Sequence, residues 1–180
     1  MKHKYGLYLG RFQPFHDGHV LIVREALNHC NNLIIAIGSA QEERTKKNPL
    51  SFMERGVLIK VLTSFNPNIR VIPINDRDEY ADNASWGNYV LDEVEKATGV
   101  RPTVVFEGAE EINQHWYDDA DIKTVKIGRD ILPISATQIR QFLLDDNKDA
   151  FKDNMPAGLW GFYNDLREIM LEVYDGKLSN

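Results

Sequence analysis

Short apolar runs alternate with segments of helical period along most of this chain, and this alternation limits the possible folds more than any other feature. Five apolar runs predict strands at residues 5–10, 33–38, 69–74, 103–106 and 122–127. Between the first two runs, apolar residues recur at i, i+3, i+4 and i+7, the spacing of one helix face: Val23, Ala26, Leu27 and Cys30. Nearly continuous apolar strands separated by helices are typical of a parallel sheet covered on both faces. The sequence therefore predicts an α/β protein with a Rossmann-like, doubly wound parallel five-stranded sheet and helices on both faces.

Capping signals and apolar stripes mark the remaining helices. Ser51 and Glu54 have the spacing of a capping box, and they begin a stripe that we expect to face the core: Met53, Val57, Leu58, Val61 and Leu62. A second stripe follows the third strand: Trp86, Tyr89, Val90, Val94 and Ala97. Two helices are expected near the end of the chain, one over residues 135–144 and one with an apolar face of Leu159, Phe162, Tyr163, Leu166, Met170 and Val173. The sequence contains no repeat or linker, so we expect one domain over residues 1–180, with a C-terminal helical segment from about residue 150.

The charge and cysteine content argue against several classes of protein. The 180 residues contain 21 Lys and Arg against 27 Asp and Glu, and this net charge of −6 disfavours a broad surface for nucleic acid. The single cysteine, Cys30, cannot form an intrachain disulfide or a cysteine-rich zinc site, and it fits a reducing compartment. The sequence has no signal-peptide core and no apolar stretch of about 20 residues, the length of a membrane span. We therefore expect a cytoplasmic protein without nucleic acid or membrane partners.

The turn after the first strand carries the most informative string of the chain, Gly10-Arg11-Phe12-Gln13-Pro14-Phe15-His16-Asp17-Gly18-His19. Ligands of doubly wound sheets bind beyond the carboxyl ends of the strands, where the first N–H groups of the next helix favour an anion. His16 and His19 can donate hydrogen bonds to phosphate oxygens, and Gly18 lets the backbone approach a ligand. The string has neither the G-x-G-x-x-G nor the P-loop spacing. It predicts a phosphate site of another kind, although one histidine alone is more often a satisfied surface group.

This string resembles the signature of the nucleotidyltransferases that carry a His-x-Gly-His motif. The longer Gly-Arg-Phe-Gln-Pro-Phe-His-x-Gly-His is similar to one branch, the archaeal-type nicotinamide mononucleotide adenylyltransferases, whose domain also occurs fused to a Nudix domain. The resemblance covers the chain from residue 5 to about residue 144 and implies the nucleotidylyl transferase fold. It implies that His16 and His19 are catalytic and bind a triphosphate, with His19 nearest the α-phosphate. It places four further residues at the ATP site: Gly10, Arg11, Phe12 and Gly18.

A second match lies far downstream, at Ser135-Ala136-Thr137-Gln138-Ile139-Arg140, and is similar to the Ser-x-Thr-x-x-Arg element of the family. Ser135 and Thr137 offer hydroxyls at a helix N-terminus, and Arg140 offers a guanidinium fork. This set suits the β- and γ-phosphates of ATP, and the resemblance implies that Arg140 is also catalytic. The alternative is structural, because Ser135 and Gln138 have the spacing of a capping box.

Two loop segments match the family less specifically. Gly38-Ser39-Ala40-Gln41 is followed by a basic cluster in which Lys47 stands where the resemblance implies a phosphate-binding cation. Charge clusters of this kind are otherwise more often solvated loops. Glu54-Arg55 matches a Glu-Arg pair of the family, and the residues themselves indicate only a helix start.

The third further match concerns the acceptor nucleotide. Asn83 and Trp86 match an Asn-x-x-Trp segment that receives the nicotinamide ring in the family, where an amide can bind the carboxamide and an indole can stack on the pyridinium. The alternative is that Trp86 belongs to the core, because it shares an apolar face with Tyr89. The chain departs from the archaeal Ser-Gly-Asn pattern after the fourth strand, at Glu107-Gly108-Ala109-Glu110-Glu111. Carboxylates at this position are expected to repel anionic substrates.

The resemblance implies transfer of AMP from ATP to nicotinamide mononucleotide, with NAD and pyrophosphate as products. It implies direct in-line attack by the acceptor phosphate. Mg²⁺ is expected on the substrate phosphates, held by substrate and water rather than by a dedicated set of protein ligands. The preference between the nicotinamide and nicotinic acid forms of the acceptor stays open. The oligomeric state also stays open, although the family often assembles and the last helix is a candidate interface.

Two other functions remain in competition at this point. Another adenylyl- or cytidylyltransferase with the same histidine motif would act on phosphopantetheine, FMN or an alcohol phosphate. A catalytically silent regulatory module would retain nucleotide affinity without turnover. A substrate panel scored by pyrophosphate release distinguishes these possibilities.

Overall fold

The computed structural model describes residues 1–64, 66–78, 83–108, 116–117, 122–128 and 133–176, with the side chains of residues 83, 84 and 175 outside the described set. The described residues form a five-stranded sheet of β1 (His3–Gly10), β2 (Cys30–Ile37), β3 (Ile69–Pro73), β4 (Val104–Gly108) and β5 (Lys123–Ile127). All neighbours pair in parallel in the order β3-β2-β1-β4-β5. The order reverses between β1 and β4, which is where such sheets leave a crevice for ligands. The predicted fold class is confirmed.

The helices follow the strands as the alternation predicts. They are α1 (Asp17–His29), α2 (Phe52–Thr63), α3 (Asn83–Thr98), α4 (Ala136–Leu144), α5 (Lys148–Asn154) and α6 (Tyr163–Asp175). The expected last helix is shorter, because Leu159 and Phe162 lie in a separate 3₁₀ segment, Ala157–Phe162, that contains two glycines. Glycine disfavours a continuous α-helix, and the predicted apolar face therefore spans two elements. The described helices include none that is long and apolar enough to cross a membrane.

Two apolar layers cover the sheet. One layer buries Tyr8, Ile35 and Phe106 of the strands against α1 residues such as Ile22 and Ala26. The other layer packs alternate strand residues against Val90 and Val94 of α3. These strand residues are Leu7, Ile34, Ala36, Ile72 and Val105. Because successive residues of a strand point to opposite faces, this division fixes the register of the sheet. The carboxyl ends of β1 and β2 are thereby held side by side, with Gly10 paired to Ile37.

Helix α2 buries only part of the apolar stripe that the sequence predicts: Leu58 is buried and Leu62 packs against the core. Met53, Val57 and Val61 are 70%, 45% and 39% exposed, whereas Arg55 and Ile59 are fully buried. The prediction is confirmed for Leu58 and Leu62 and wrong for the three exposed residues, because it assigned the inward face by apolar residue type and a buried arginine shares that face. Through Leu58 and the preceding Leu50, this region joins a third core with the C-terminal helices: Ile139, Leu143, Phe151, Leu159, Leu166 and Met170.

Candidate functional site

The turn from β1 to α1 is built around a buried phenylalanine. Phe12 adopts a positive φ of 52°, and its ring packs against Tyr8 and Phe15 with centroids 5.2 and 5.5 Å apart. Gly10 makes this packing possible, because a Cβ at that position would lie 2.8 Å from the Phe12 ring. The Phe12 ring is therefore a core element. Arg11, between the two, is exposed.

The two histidines of the turn cap α1 together. Nδ1 of His16 accepts the Gly18 N–H at 3.2 Å, and Nδ1 of His19 accepts the His16 N–H at 3.2 Å. The ring centroids lie 3.8 Å apart, and the ring planes are tilted by 33° to each other. Because a neutral imidazole that accepts through Nδ1 carries its proton on Nε2, both rings present Nε2 as a donor. The capping arrangement thus fixes the tautomer of each histidine.

Aromatic side chains hold the His19 ring in place. Its centroid lies 5.0 Å from Phe12 and 5.1 Å from Phe15, with the Phe12 ring nearly perpendicular to it. His16 is 1% exposed and His19 is half-buried. Each side chain has a capping bond and ring contacts, so its orientation is set before any ligand arrives.

Arg140 of α4 lies against the same turn. Its Nη1 donates to the Gln13 carbonyl at 2.7 Å and its Nη2 donates to Thr137 Oγ1 at 3.0 Å. The Gln13 side chain is itself fixed, because it donates to the Leu50 carbonyl and accepts the Leu50 N–H, both at 2.9 Å. The Arg140 Nε is buried and has no hydrogen-bond partner among the described residues. The structure therefore brings the two predicted motifs together and leaves a buried donor at their junction.

The hydroxyls of the second motif have structural partners. Ser135 caps α4, since its Oγ accepts the Gln138 N–H at 3.3 Å and its own N–H donates to Gln138 Oε1 at 2.9 Å. The capping-box alternative for Ser135 is confirmed. Thr137 is exposed, and its hydroxyl accepts from Arg140.

The basic loop between β2 and α2 separates its cations. Arg44 forms a two-pronged ion pair with Glu54, at 2.8 and 2.6 Å. The hydrogen bonds of this pair lower the pKa of Glu54 below its usual range. Lys46 lies over the Tyr174 ring, 5.9 Å from its centroid. Lys47 is exposed on the loop. The structure thus gives Arg44 and Lys46 intramolecular roles and leaves Lys47 as the residue that the resemblance assigns to phosphate.

The predicted ring pocket lies at the start of α3. Asn83 is the first residue of this helix, and its side chain lies outside the described set. Trp86 is half-buried and packs against Tyr89 and Trp116, with centroids 5.4 and 6.1 Å apart. Gly87 allows the Trp116 backbone to approach, because a Cβ there would overlap it. Trp86 therefore borders the core, as the alternative predicts. Its Nε1 is buried without a hydrogen-bond partner among the described residues.

Comparison with known proteins decides the family. Residues 7–142 match the family described as cytidylyltransferase-like. The chain belongs to the cytidylyltransferase-like family. Nicotinamide-nucleotide adenylyltransferase of Thermococcus onnurineus is 32% identical over 171 residues, covering 92% of this chain and 85% of the relative. The enzyme of the same name from Halobacterium salinarum is 34% identical over 124 residues, covering 65% and 68%. The resemblance to archaeal-type nicotinamide mononucleotide adenylyltransferases is confirmed.

Two further matches, one to a relative and one to a solved structure, cover only part of the matched protein. The nicotinamide-nucleotide adenylyltransferase of Methanococcus aeolicus is 44% identical over 85 residues, which is 47% of this chain and 48% of the relative. A bifunctional NMN adenylyltransferase/ADP ribose pyrophosphatase from Francisella tularensis matches in structure with a TM-score of 0.75 at 23% identity. This match covers 96% of the chain and 52% of the Francisella chain. The chain spans about half the length of these two relatives, and the second supports the fold.

The sequence did not predict the position of Arg55 at this site. Arg55 is fully buried in the first turns of α2. It donates to the carbonyls of Arg11 and Gly38 at 3.0 and 2.8 Å, and to that of Ser39 at 3.1 Å. Burial lowers its pKa to about 10, and the charge of Arg11 acts in the same direction. The available signal was the match of Glu54-Arg55 to a Glu-Arg pair of the family.

The acidic departure from the family pattern is only partly described. Glu107 is 5% exposed in β4, where its backbone pairs in register with Lys126 of β5. Residues 109–111 lie outside the described set. The expected repulsion of anionic substrates by these carboxylates stays a prediction.

Proposed function

We propose that this chain is a nicotinamide-nucleotide adenylyltransferase, which transfers AMP from ATP to nicotinamide mononucleotide and forms NAD and pyrophosphate. The observation that carries the proposal is the paired-histidine cap of α1 with Arg140 bound to the adjacent Gln13 carbonyl. A phosphate chain placed there meets a helix N-terminus, imidazole donors and a guanidinium. The names of the archaeal relatives supply the acceptor.

In this proposal the triphosphate lies across the β1–α1 turn. His16 and His19 donate from Nε2 to phosphate oxygens, with His19 at the α-phosphate. The guanidinium charge of Arg140 is assigned to the β- and γ-phosphates, and its Nε is a buried donor without a partner among the described residues. Arg11 and Lys47, both exposed, neutralise charge from the solvent side. Ser135, Thr137, Gly10, Phe12 and Gly18 shape the site through the backbone and the capping bonds described above.

The proposed reaction needs no protein nucleophile or general base. A phosphate oxygen of nicotinamide mononucleotide forms a bond to the α-phosphorus of ATP, while the bond from that phosphorus to the bridging oxygen breaks. Pyrophosphate leaves with the electron pair of the broken bond. A phosphate monoester with a pKa near 6 is already mostly ionised at neutral pH. Catalysis is therefore positioning and stabilisation of the developing charge by donors fixed in advance.

Mg²⁺ enters this proposal as part of the nucleotide substrate. A related Francisella protein was solved with AMP and a Mn ion. The side chains proposed for the phosphates at the β1–α1 turn, Arg11, His16 and His19, are hydrogen-bond donors and cations, a set that suits phosphate oxygens rather than a divalent metal. The Mg²⁺ is accordingly assigned to the ATP phosphates and water, where it offsets their negative charge.

The acceptor ring is assigned to the start of α3. The Trp86 indole face can stack on the pyridinium, and its buried Nε1 is a donor without a partner among the described residues. Asn83 occupies the preceding turn of the same helix and is proposed to bind the carboxamide. We also infer a cytoplasmic location, supported by the single buried thiol of Cys30.

The test is a substrate panel on the purified protein. ATP and CTP are each combined with nicotinamide mononucleotide, its nicotinic acid form, phosphopantetheine, FMN and an alcohol phosphate, and pyrophosphate release is measured. The proposal expects release with ATP and a pyridine mononucleotide, and formation of a product that alcohol dehydrogenase reduces to NADH from the nicotinamide form. Turnover with another acceptor alone assigns a different transferase. Nucleotide binding without turnover in any combination assigns a silent module.

A further inference from the structure

Arg55 has an unusual set of hydrogen-bond partners. Its Nη1 bonds the carbonyls of Arg11 and Gly38, its Nη2 bonds that of Ser39, and its Nε bonds that of Ser51 at 3.1 Å. These carbonyls belong to three segments: the turn after β1, the end of β2 and the cap of α2. One guanidinium therefore joins the backbone of the phosphate turn to the two elements beside it.

The segments joined by Arg55 contain backbone that needs external support. Phe12 and Ser39 both have positive φ values, 52° and 47°, a region that costs free energy for residues other than glycine. Each lies next to or at a carbonyl that Arg55 holds. Gly38 N–H also donates to the Gly10 carbonyl at 2.9 Å. The Arg55 fork thus fixes the two strand ends in the relative position that the histidine cap requires.

The charge of Arg55 has no carboxylate in contact. Among the described residues, its hydrogen bonds all go to backbone carbonyls, and the carboxylates of Asp76, Glu54 and Glu42 act on it only through longer-range electrostatic attraction. Burial without a carboxylate in direct contact disfavours the charged form and lowers the pKa of Arg55 to about 10, although these carboxylates partly offset the effect. The exposed Arg11 lies close enough to add like-charge repulsion. A residue needed only for packing would be more stable as a neutral side chain, whereas two neighbouring cations, Arg11 and Arg55, suit a polyanionic ligand.

We propose that Arg55 is a positioning residue for the phosphate site: it holds the ends of β1 and β2 in the geometry that aims the histidine donors, and its positive charge attracts the polyphosphate from beneath the turn. The inference rests on the proposed function only for the identity of the nucleotide. Inorganic pyrophosphate tests it independently, because pyrophosphate affinity does not require any acceptor or turnover.

The test separates charge from geometry with two variants. Arg55→Lys keeps the charge but cannot reach all the carbonyls, and Arg55→Gln removes the charge. Arg101→Gln is the matched control, since Arg101 pairs with Asp92 and Glu95 at the surface. Calorimetric titration with pyrophosphate is expected to give a Kd about tenfold or more weaker for Arg55→Gln and within about threefold of wild type for Arg55→Lys and Arg101→Gln.

Kinetics then separate a positioning role from a purely structural one. If the proposed reaction holds, Arg55→Lys lowers kcat about tenfold or more with little change in KM for ATP, because the turn is misplaced while the charge remains. Arg55→Gln changes both constants. Folded Arg55→Gln protein with wild-type pyrophosphate affinity overturns the inference. Absence of turnover in the wild type refutes the proposed function and leaves the pyrophosphate comparison to decide on Arg55.

A measurement on the wild type covers the case in which both variants fail to fold. The Arg55 Nε–H, bound to the Ser51 carbonyl, is expected to give a slowly exchanging NMR signal. Pyrophosphate titration is expected to shift this signal with the same Kd as calorimetry. An unshifted signal at saturating pyrophosphate overturns the inference.

Discussion

His19 performs two tasks that substitution can separate. Its Nδ1 accepts the His16 N–H at 3.2 Å, and its Nε2 is the donor assigned to the α-phosphate. His19→Asn places an amide oxygen near the position of Nδ1 and removes the group at Nε2. His19→Gln places an amide N–H near the position of Nε2 and loses the capping bond. The pair therefore tests the helix cap and the catalytic donor one at a time.

The expected magnitudes follow from the contacts of the ring. Both variants lose the contacts of the imidazole with Phe12 and Phe15, at 5.0 and 5.1 Å, which costs about 1–3 kcal/mol of stability in total. His19→Gln loses about 1 kcal/mol more with the cap. Loss of the donor in His19→Asn raises the barrier by about 3–4 kcal/mol, a fall in kcat of roughly 100- to 1,000-fold. His19→Gln retains a donor and is expected within about tenfold of wild type.

The assay combines urea unfolding with steady-state formation of NAD at saturating ATP. His29→Asn, at the far end of the same helix, is the control for the chemical change. The reasoning is refuted if folded His19→Asn turns over at the wild-type rate. It is also refuted if the two variants lose equal activity, since the hydrogen-bond donor at the Nε2 position would then make no separate contribution to kcat.

Three further substitutions test other parts of the structure. Trp86→Phe is expected to raise KM for nicotinamide mononucleotide about 3- to 10-fold and to leave KM for ATP within twofold, because a weaker aromatic face replaces the indole; equal changes in both constants contradict the ring assignment. Gly10→Ala brings a Cβ to 2.8 Å from the Phe12 ring and is expected to lower the free energy of unfolding by about 1–3 kcal/mol; an unchanged urea midpoint contradicts it. Glu54→Gln keeps the capping geometry but removes the ion pair with Arg44, worth about 1 kcal/mol at pH 7. The pair lowers the pKa of Glu54 below its ordinary value of 4.5. Its stabilisation is therefore fully present above pH 4.5 and is lost as the pH falls through the pKa of the folded state. The free energies of unfolding of wild type and variant, measured by urea titration, are expected to converge in acid.

The sheet was predictable because its strands are rich in apolar residues. A continuous run such as Leu33–Ile37 has no polar residue, and only burial on both faces suits it. The boundaries were predicted less accurately, since β2 begins at Cys30 rather than at residue 33. Cys30 fits the helical spacing after Val23, yet it is the first residue of β2. Apolar periodicity alone does not show where a helix ends and an extended strand begins. The break before α6 escaped prediction for a similar reason, since a 3₁₀ segment keeps apolar residues near the same face.

The candidate site was predictable to the extent that its residues are chemically conspicuous. His16, His19 and Arg140 are polar groups placed next to strand or helix ends, and the structure brings their segments together. Arg55 was not predictable in the same way, because an arginine in an amphipathic helix is usually assigned to the solvent face. Only its contacts with distant carbonyls reveal its inward direction, and such contacts require the fold.

The paired-histidine cap ties the beginning of α1 to the aim of the proposed donors. Fraying of that first turn would release the rings of His16 and His19 together, even while the sheet stays folded. Conditions that loosen helix ends without unfolding the core, such as mild denaturant, are then expected to silence turnover early and reversibly. Loss of the proposed activity is then expected at a lower denaturant concentration than global unfolding.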